Sequence, residues 1–309
     1  MERALALGRS WSKRTLGVAL LMLGVGSPGT HASSRAAAGT EARDAGARVV
    51  WLRAPEPPMV RIPAGEFIMG STPEEALAAV ARCASEPLGH RCNEQTFANE
   101  LPRRRMTLPD FWMDRTEVSV REYRRCVAHG SCSRPAFAAG GRRFDRDELP
   151  VTLVSWEEAA AFCRFRSARL PTEAEWERAA RGRNGRTYPW GNLYNSRVHN
   201  HGRLGLLPED GSDGFGELAP AGVFPGGRTP EGLLDLGGNA AEWVADYYRE
   251  HYLDTSSSRG STRRSVRGGS FTSGAAWIRG AARDSAPADA RRPQIGFRCA
   301  KTDEPANPL

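Results

Sequence analysis

Apolar side chains cluster along Met59-Val60-Arg61-Ile62 and again along Phe67-Ile68-Met69, with Pro63-Ala64-Gly65-Glu66 between them. That pattern predicts a strand, a turn and a strand. The run from Met106 to Met113 predicts another strand. Helices are signalled differently. Ser119 with Glu122, Ser155 with Glu158 and Thr172 with Glu175 each set a hydroxyl three residues ahead of a carboxylate. The hydroxyl can accept from the third residue's N–H, and the carboxylate can accept from the hydroxyl residue's own N–H. Each pair predicts the start of a short helix. Past Gly182 the periodicity fades, and the chain to Arg298 is rich in Gly, Asn, Asp and Trp, with no internal repeat. A half built this way needs something besides regular backbone hydrogen bonding to hold it.

Ahead of Met59 the pattern is of another kind. Arg3, Arg9, Lys13 and Arg14 precede an apolar stretch from Leu16 to Val25, followed by the small-residue site Thr30-His31-Ala32. This predicts a secretory signal peptide over residues 1–32, since the apolar stretch is far short of the roughly 20 residues that span a bilayer. Residues 33–58, rich in Ala, Arg and Pro, read as a flexible linker, 59–301 as the ordered domain and 302–309 as a short tail. An exported protein is expected, periplasmic or extracellular, with no membrane contact beyond the signal segment. Loss of residues 1–32 removes four basic side chains and one acidic, lowering the formal charge from +7 to +4. Lys13 and Lys301 are the only lysines, so the basic residues are nearly all arginines, interleaved with 36 acidic residues. That skew reads as codon bias. The densest run is Arg103-Arg104-Arg105, too short for a nucleic-acid surface, and no nucleic-acid partner is expected.

Export turns six cysteines into an expectation of disulfides. Cys83 and Cys92, and Cys126 and Cys132, are near enough in sequence to close short loops, but spacing alone leaves the connectivity open. None has the spacing of a zinc site. Trp176, Trp190 and Trp243 suit a core whose backbone is largely loop, each needing an acceptor for its indole N–H. Gly268 and Gly269 in a strand-like stretch point to a bulge or a close backbone approach.

Six motifs occur in order: Val154-Ser155-Trp156-Glu157-Glu158-Ala159, Arg169-Leu170-Pro171-Thr172-Glu173-Ala174-Glu175-Trp176-Glu177, Tyr188-Pro189-Trp190-Gly191-Asn192, Gly237-Gly238-Asn239-Ala240-Ala241-Glu242-Trp243, Arg267-Gly268-Gly269-Ser270 and Gly296-Phe297-Arg298-Cys299. From about Met59 to Lys301 the chain resembles the formylglycine-generating enzyme, or sulfatase-modifying factor, family. The resemblance implies a single α+β domain, the family's loop-rich variant of the C-type lectin fold. It implies a cystine between Cys163 and Cys299, which leaves Cys83–Cys92 and Cys126–Cys132 as the other bridges. The family's second common cystine maps to Ala180 and Gly280, where both cysteines are absent together.

The resemblance also implies structural calcium, a hard cation that takes six to eight oxygens. One site maps to Asp235, Glu242 and the carbonyls of Gly238 and Ala240; a second maps to Asp213, Asn200 and the carbonyls of Phe215 and His201. Chemistry is where the sequence departs from the family. Its oxidase binds copper(I) through two cysteines after the Gly-Gly-Ser motif, and soft thiolates are what that ion selects. Phe271 to Arg283 contains no cysteine, Ser273 stands at the first position, and the segment is too short to hold the second. Copper is not expected. His199 and His201 lack a third ligand in register for iron, and nothing in the sequence supplies a base for a Ser273 nucleophile. Two function classes remain. One is a non-catalytic module, rigidified by calcium and disulfides, whose groove beside Ser273, Trp277 and Arg279 takes a peptide, glycan or protein partner. The other is an enzyme or accessory that modifies a peptide side chain through residues not recognised in the sequence.

Overall fold

The computed structural model describes residues 58–86, 89–139, 142–202, 211–252 and 262–302. The signal peptide, nearly all of the linker and most of the tail expected from the sequence lie outside these, and every described residue belongs to the unit spanning 54–309. Among the described residues there are four α-helices: α1 over Pro73–Ala84, α2 over Val120–Ala128, α3 over Trp156–Phe165 and α4 over Glu173–Arg181. The last three begin at the three capping boxes found in the sequence, with both reciprocal hydrogen bonds formed. The first carries the same signature at Thr72 and Glu75, with Pro73 at its first position. Each such cap stabilises its helix by about 1 kcal/mol.

Strands β1 (Met59–Ile62) and β2 (Gly65–Met69) flank the expected turn but do not pair with each other. The run expected as one strand from Met106 to Met113 divides into β3 (Arg104–Leu108) and β4 (Phe111–Asp114). Pro109, which has no N–H to give a ladder, stands at the break. β2 pairs with β3, while β1 pairs with β4, whose other edge takes β9 (Ala300–Thr302). The two ends of the described domain thereby share one small antiparallel sheet. A second sheet, in the order β7-β6-β5-β8, is built from β5 (Ala241–Tyr247), β6 (Arg263–Arg267), β7 (Arg283–Pro287) and β8 (Ile295–Gly296). The register of β5 against β6 shifts between Trp243 and Tyr247. Such a bulge re-aims side chains locally.

The main core lies between α2, α3 and the second sheet, where Tyr123, Phe162, Trp243 and Phe297 are buried. Trp176 and Trp243 are fully buried, and their indole N–H groups donate to Glu242 Oε2 at 2.8 Å and to the Val154 carbonyl at 3.2 Å. Trp190 is only partly buried and donates to the Leu193 carbonyl. Gly268 has φ +94°, and a Cβ there would stand 3.0 Å from the Trp176 ring. That glycine lets β6 leave the sheet against the indole.

What holds the loop-rich half is a lattice of buried guanidiniums. Arg267, fully buried, bridges Glu173 at 3.0 Å and Glu177 at 2.8 Å on successive turns of α4, and its Nη2 also donates to the Gly280 carbonyl. Arg283 joins both oxygens of Glu173 and donates to the carbonyls of Asn99 and Arg249. Arg298 does the same for Glu242 and for the carbonyls of Asp114, Arg115 and Leu234. Arginine's fan of fixed donors satisfies loop carbonyls that no ladder reaches. The arginine content read from the sequence as codon bias thus has a structural use.

All six cysteines are paired as Cys83–Cys92, Cys126–Cys132 and Cys163–Cys299, the connectivity the resemblance implies. An ideal Cβ on Gly280 would stand 3.4 Å from the Ala180 Cβ, close to the separation across a disulfide. The place of the family's missing cystine is kept although both sulfurs are gone. No helix among the described residues is long and apolar enough to cross a membrane.

The lattice sets an acid limit. Burial pushes the Glu173 carboxyl up, but the Arg283 and Arg267 guanidiniums overcome it and hold the pKa at about 2, against an ordinary 4.5. The group's folded pKa is depressed, so its stabilisation is present above pH 4.5 and lost as pH falls toward 2. Its full size is about 3 kcal/mol. In urea melts at pH 4.5 and at pH 3, the wild type should lose stability more steeply than Glu173→Gln. Equal slopes would exclude Glu173 as a source of the acid limit.

Candidate functional site

The groove begins where β6 ends. Gly269 has φ +66°, and a Cβ there would meet the Trp277 carbonyl at 2.9 Å, so only glycine lets the chain fold back so closely. The next residues close a turn: Ser273 N donates to the Ser270 carbonyl at 2.8 Å, and Ser270 N donates to Ser273 Oγ at 2.9 Å. Thr272 N donates to Ser270 Oγ, which also meets the Thr272 hydroxyl at 2.9 Å. Beside this turn lies a cavity of about 330 Å³, whose wall includes Ser273, Thr272, Trp277, Arg283, Asp284 and Gln294.

Of the three groove residues named from the sequence, Ser273 and Trp277 line the cavity. Arg279 does not. It is buried, its guanidinium gripping both oxygens of the buried Glu100 at 3.0 and 2.5 Å and lying over Phe97. That pair ties the segment after Ser273 to the chain following α1. Trp277 packs on Phe97 with ring centroids 4.9 Å apart, and Ala276 joins Cys83 and Phe97 in one small apolar cluster. The stretch that would carry the second copper ligand is therefore packed as core. Ser273 Oγ is engaged by the Ser270 N–H, and the Glu86 carboxylate lies against the neighbouring Gly274.

Behind the groove, the residues mapped to calcium come together in two linked loops. Asn239 N donates to the Asn200 carbonyl, and Asn200 Nδ2 donates to Asn239 Oδ1, both at 2.9 Å. Gly238 has φ +97° and leaves no room for a Cβ, which would lie 2.0 Å from the Asn200 carbonyl oxygen. In the second set, Asp213 accepts from His201 N at 2.7 Å and from Phe215 N at 2.9 Å, while Asn200 Oδ1 is buried without a donor. In the first set, Glu242 is committed to Arg298 and Trp176, and Asp235 Oδ2 accepts from Gly222 N at 2.6 Å.

Asp235 also faces a carboxylate that the sequence reading missed. Glu117 is buried, accepts from Asn239 Nδ2 at 3.0 Å through one oxygen, and has no N–H donor for the other. Burial, and then the Asp235 charge, raise its pKa well above the usual carboxylate range. Burial raises that of Asp235 as well. Two buried carboxyls facing one another require a shared proton or a cation. Among the described residues no three acidic, histidine or cysteine side chains converge on one point, so a cation here would need carbonyl oxygens in addition. The donors on both loops are all oxygens, which fits a hard cation; no thiolate is available, which does not fit copper(I). Nothing in the sequence distinguishes Glu117, between Thr116 and Val118, from a solvated loop acid.

His199 is buried beneath Trp190, with ring centroids 4.8 Å apart, and 5.0 Å from His201. Burial, followed by the His201 ring, lowers its pKa to about 3. It stays neutral and serves the aromatic stack.

A family model described as the sulfatase-modifying factor enzyme 1-like domain matches residues 34–303. The mouse formylglycine-generating enzyme is 30% identical over 339 residues, covering 90% of this chain and 85% of that protein. The mouse inactive C-alpha-formylglycine-generating enzyme 2 is 39% identical over 172 residues, 55% of this chain, and the match spans only 54% of that relative's length. Among solved structures, PvdO from Pseudomonas aeruginosa superposes with a TM-score of 0.62 at 25% identity, covering 79% of this chain and 94% of that one. Treponema denticola variable protein 1 shares the fold, with a TM-score of 0.57 at 19% identity, covering 79% of this chain and 94% of that one.

The Gly238–Asn200 contact can be tested directly. Gly238→Ala should destabilise the domain by about 2 kcal/mol or more in a denaturant melt, because backbone must move as well as adopt a strained φ. Gly232→Ala, at φ +100° with open space around it, should cost less, since it isolates the conformational part. Equal losses would mean that the contact itself contributes nothing.

Proposed function

Because the chain belongs to the sulfatase-modifying factor enzyme 1-like family, we propose that it is an exported member that binds a peptide segment in the groove beside Ser273 without oxidising it. The observation that carries this reading is the state of the sulfurs: all six are in disulfides, and the first copper position holds a serine whose hydroxyl is engaged with the Ser270 backbone. A relative named inactive lies in the same family and supports the reading. A peptide suits the cavity wall better than a glycan or a folded partner. Seryl and threonyl hydroxyls, Gln294 and the exposed Asp284 offer both donors and acceptors to an extended backbone. The three disulfides are compatible with an oxidising compartment. The alternative is an enzyme or accessory that modifies a peptide side chain through other residues.

Calcium belongs to the same proposal as a structural cation. Asp235, Glu117 and nearby carbonyls would hold one ion, and Asp213 with the orphaned Asn200 Oδ1 would hold another. Each would neutralise buried negative charge in loops that regular structure does not tie down.

Two measurements test the proposal. A peptide carrying the Cys-x-Pro-x-Arg pattern recognised by active family members, incubated with the protein, copper and reductant, should keep its cysteine by mass spectrometry. Conversion to the aldehyde would overturn the binding reading. Separately, chelation should lower the melting temperature and calcium should restore it, with about 2.7 kcal/mol gained at a hundredfold excess over Kd. Asp235→Asn should reduce that response, and an undiminished response would remove the first loop as a calcium site.

A further inference from the structure

A second cavity, of about 530 Å³, shares Arg283 with the groove and is otherwise lined by different residues. Its wall brings together Arg104 on β3, Arg264 on β6, Arg249 beyond β5 and Arg283 on β7. The bulge in β5 contributes Ala245, Asp246 and Tyr247 to the same wall, so the irregularity in the sheet is where the cavity forms.

Arg264 and Arg104 are used differently from the arginines of the buried lattice. Arg264 is only 8% exposed, and its guanidinium lies between the rings of Trp156 and Tyr247, 3.5 and 3.6 Å from their centroids. With both faces covered, its donors are available only at the edge. Nη1 donates to the Ala245 carbonyl at 2.9 Å, while Nε is buried with no acceptor. Arg104 lies over the Tyr252 ring, makes only a 3.4 Å contact to the Tyr252 carbonyl and a 3.7 Å contact to Met69 Sδ, and its Nε is likewise unpartnered. Among the described residues neither arginine has a carboxylate within 4.0 Å. The acids of this wall do not fill the need: Glu173 is taken by Arg267 and Arg283, and Asp246 accepts from Glu173 N. Burial raises the Asp246 pKa, and the charge of Glu173 adds to that rise.

A buried guanidinium N–H without an acceptor bears its desolvation penalty in full unless a ligand supplies the oxygen. A carboxylate has two oxygens in one plane and is best met by a single forked guanidinium. Arg104 on β3 and Arg264 on β6 come from different strands, and their unpartnered Nε groups suit a tetrahedral head that presents more than two oxygens. Tyr247 and Tyr252 on the same wall would flank an aromatic or sugar ring attached to it. We propose that this cavity is a second binding site, distinct from the groove, for a phosphate or sulfate monoester held by Arg264 and Arg104.

Phenyl phosphate and phenyl sulfate are suitable probes, titrated calorimetrically into the full chain at fixed ionic strength. At least one should bind saturably with one site per chain, and the tighter of the two identifies the headgroup. Arg264→Met, which keeps the stem between the two rings, and Arg104→Gln, at a partly exposed position, should each weaken binding at least tenfold. Arg292→Gln, at the edge of the first cavity, should leave the Kd unchanged. The proposal fails if neither ester gives saturable binding beyond a matched chloride titration, or if a folded Arg104→Gln binds as tightly as the wild type. It fails equally if Arg292→Gln abolishes binding, which would put the anion in the groove. Benzoate binding as tightly as either ester would overturn the tetrahedral assignment.

Discussion

The buried pairing of guanidinium with carboxylate is the interaction on which the rest of this fold depends. Glu173 and Glu177 project from α4 into Arg267, Arg283 and Arg181, while Glu242 on β5 meets Arg298. Such pairs add little net stability over an apolar core of the same shape, because both ions must be stripped of water. Their value here lies in the donors left over. Each arginine, once neutralised, reaches one to three carbonyls on segments without a ladder, so a chain that is half loop can still bury its backbone. The arrangement is brittle in one respect. Truncating a single partner leaves an uncompensated buried charge, at about 3–5 kcal/mol.

Local chemistry was the legible part of the sequence. Capping boxes at Ser119, Ser155 and Thr172 depend on residues three apart, and the helices start where those residues are. Motif order gave the family and with it the fold and the Cys163–Cys299 cystine, which left the other two pairs by elimination. Pairing between distant segments was not legible. Nothing local tells β1 to choose β4 over β2, nor shows that Pro109-Asp110 divides one apolar run into strands belonging to different sheets. Charged residues were the least legible of all, since an arginine at Arg298 and one at Arg105 look alike in a sequence. The first is fully buried on Glu242, and the second is exposed. Reading the arginine skew as codon usage therefore passed over the main device of the fold. The same blindness hid Glu117 and assigned Arg279 to a groove when it belongs to Glu100.

The shape of the candidate groove rests on backbone contacts. Gly268, Gly269 and the turn from Ser270 to Ser273 still shape a cavity, because they are fixed by backbone contacts to Trp176 and Trp277 rather than by a bound metal. Ala276 and Trp277 pack beyond it against the Cys83–Cys92 segment. Peptide recognition asks only for the cavity and its donors, while oxygen activation asks for two soft ligands at a set separation.

One further consequence follows from Ala180 and Gly280, whose backbones keep the spacing of a cystine that this chain does not have. The strap joining α4 to the segment before β7 is instead the Glu177–Arg267 pair with its hydrogen bond to the Gly280 carbonyl. A covalent strap is indifferent to salt and acid but is opened by thiols; an ionic one has the reverse vulnerabilities. At this joint the molecule is therefore indifferent to the redox state of its surroundings, and folding need not wait for an oxidant to find two sulfurs there. The register of α4 against the sheet is set as soon as Arg267 is buried.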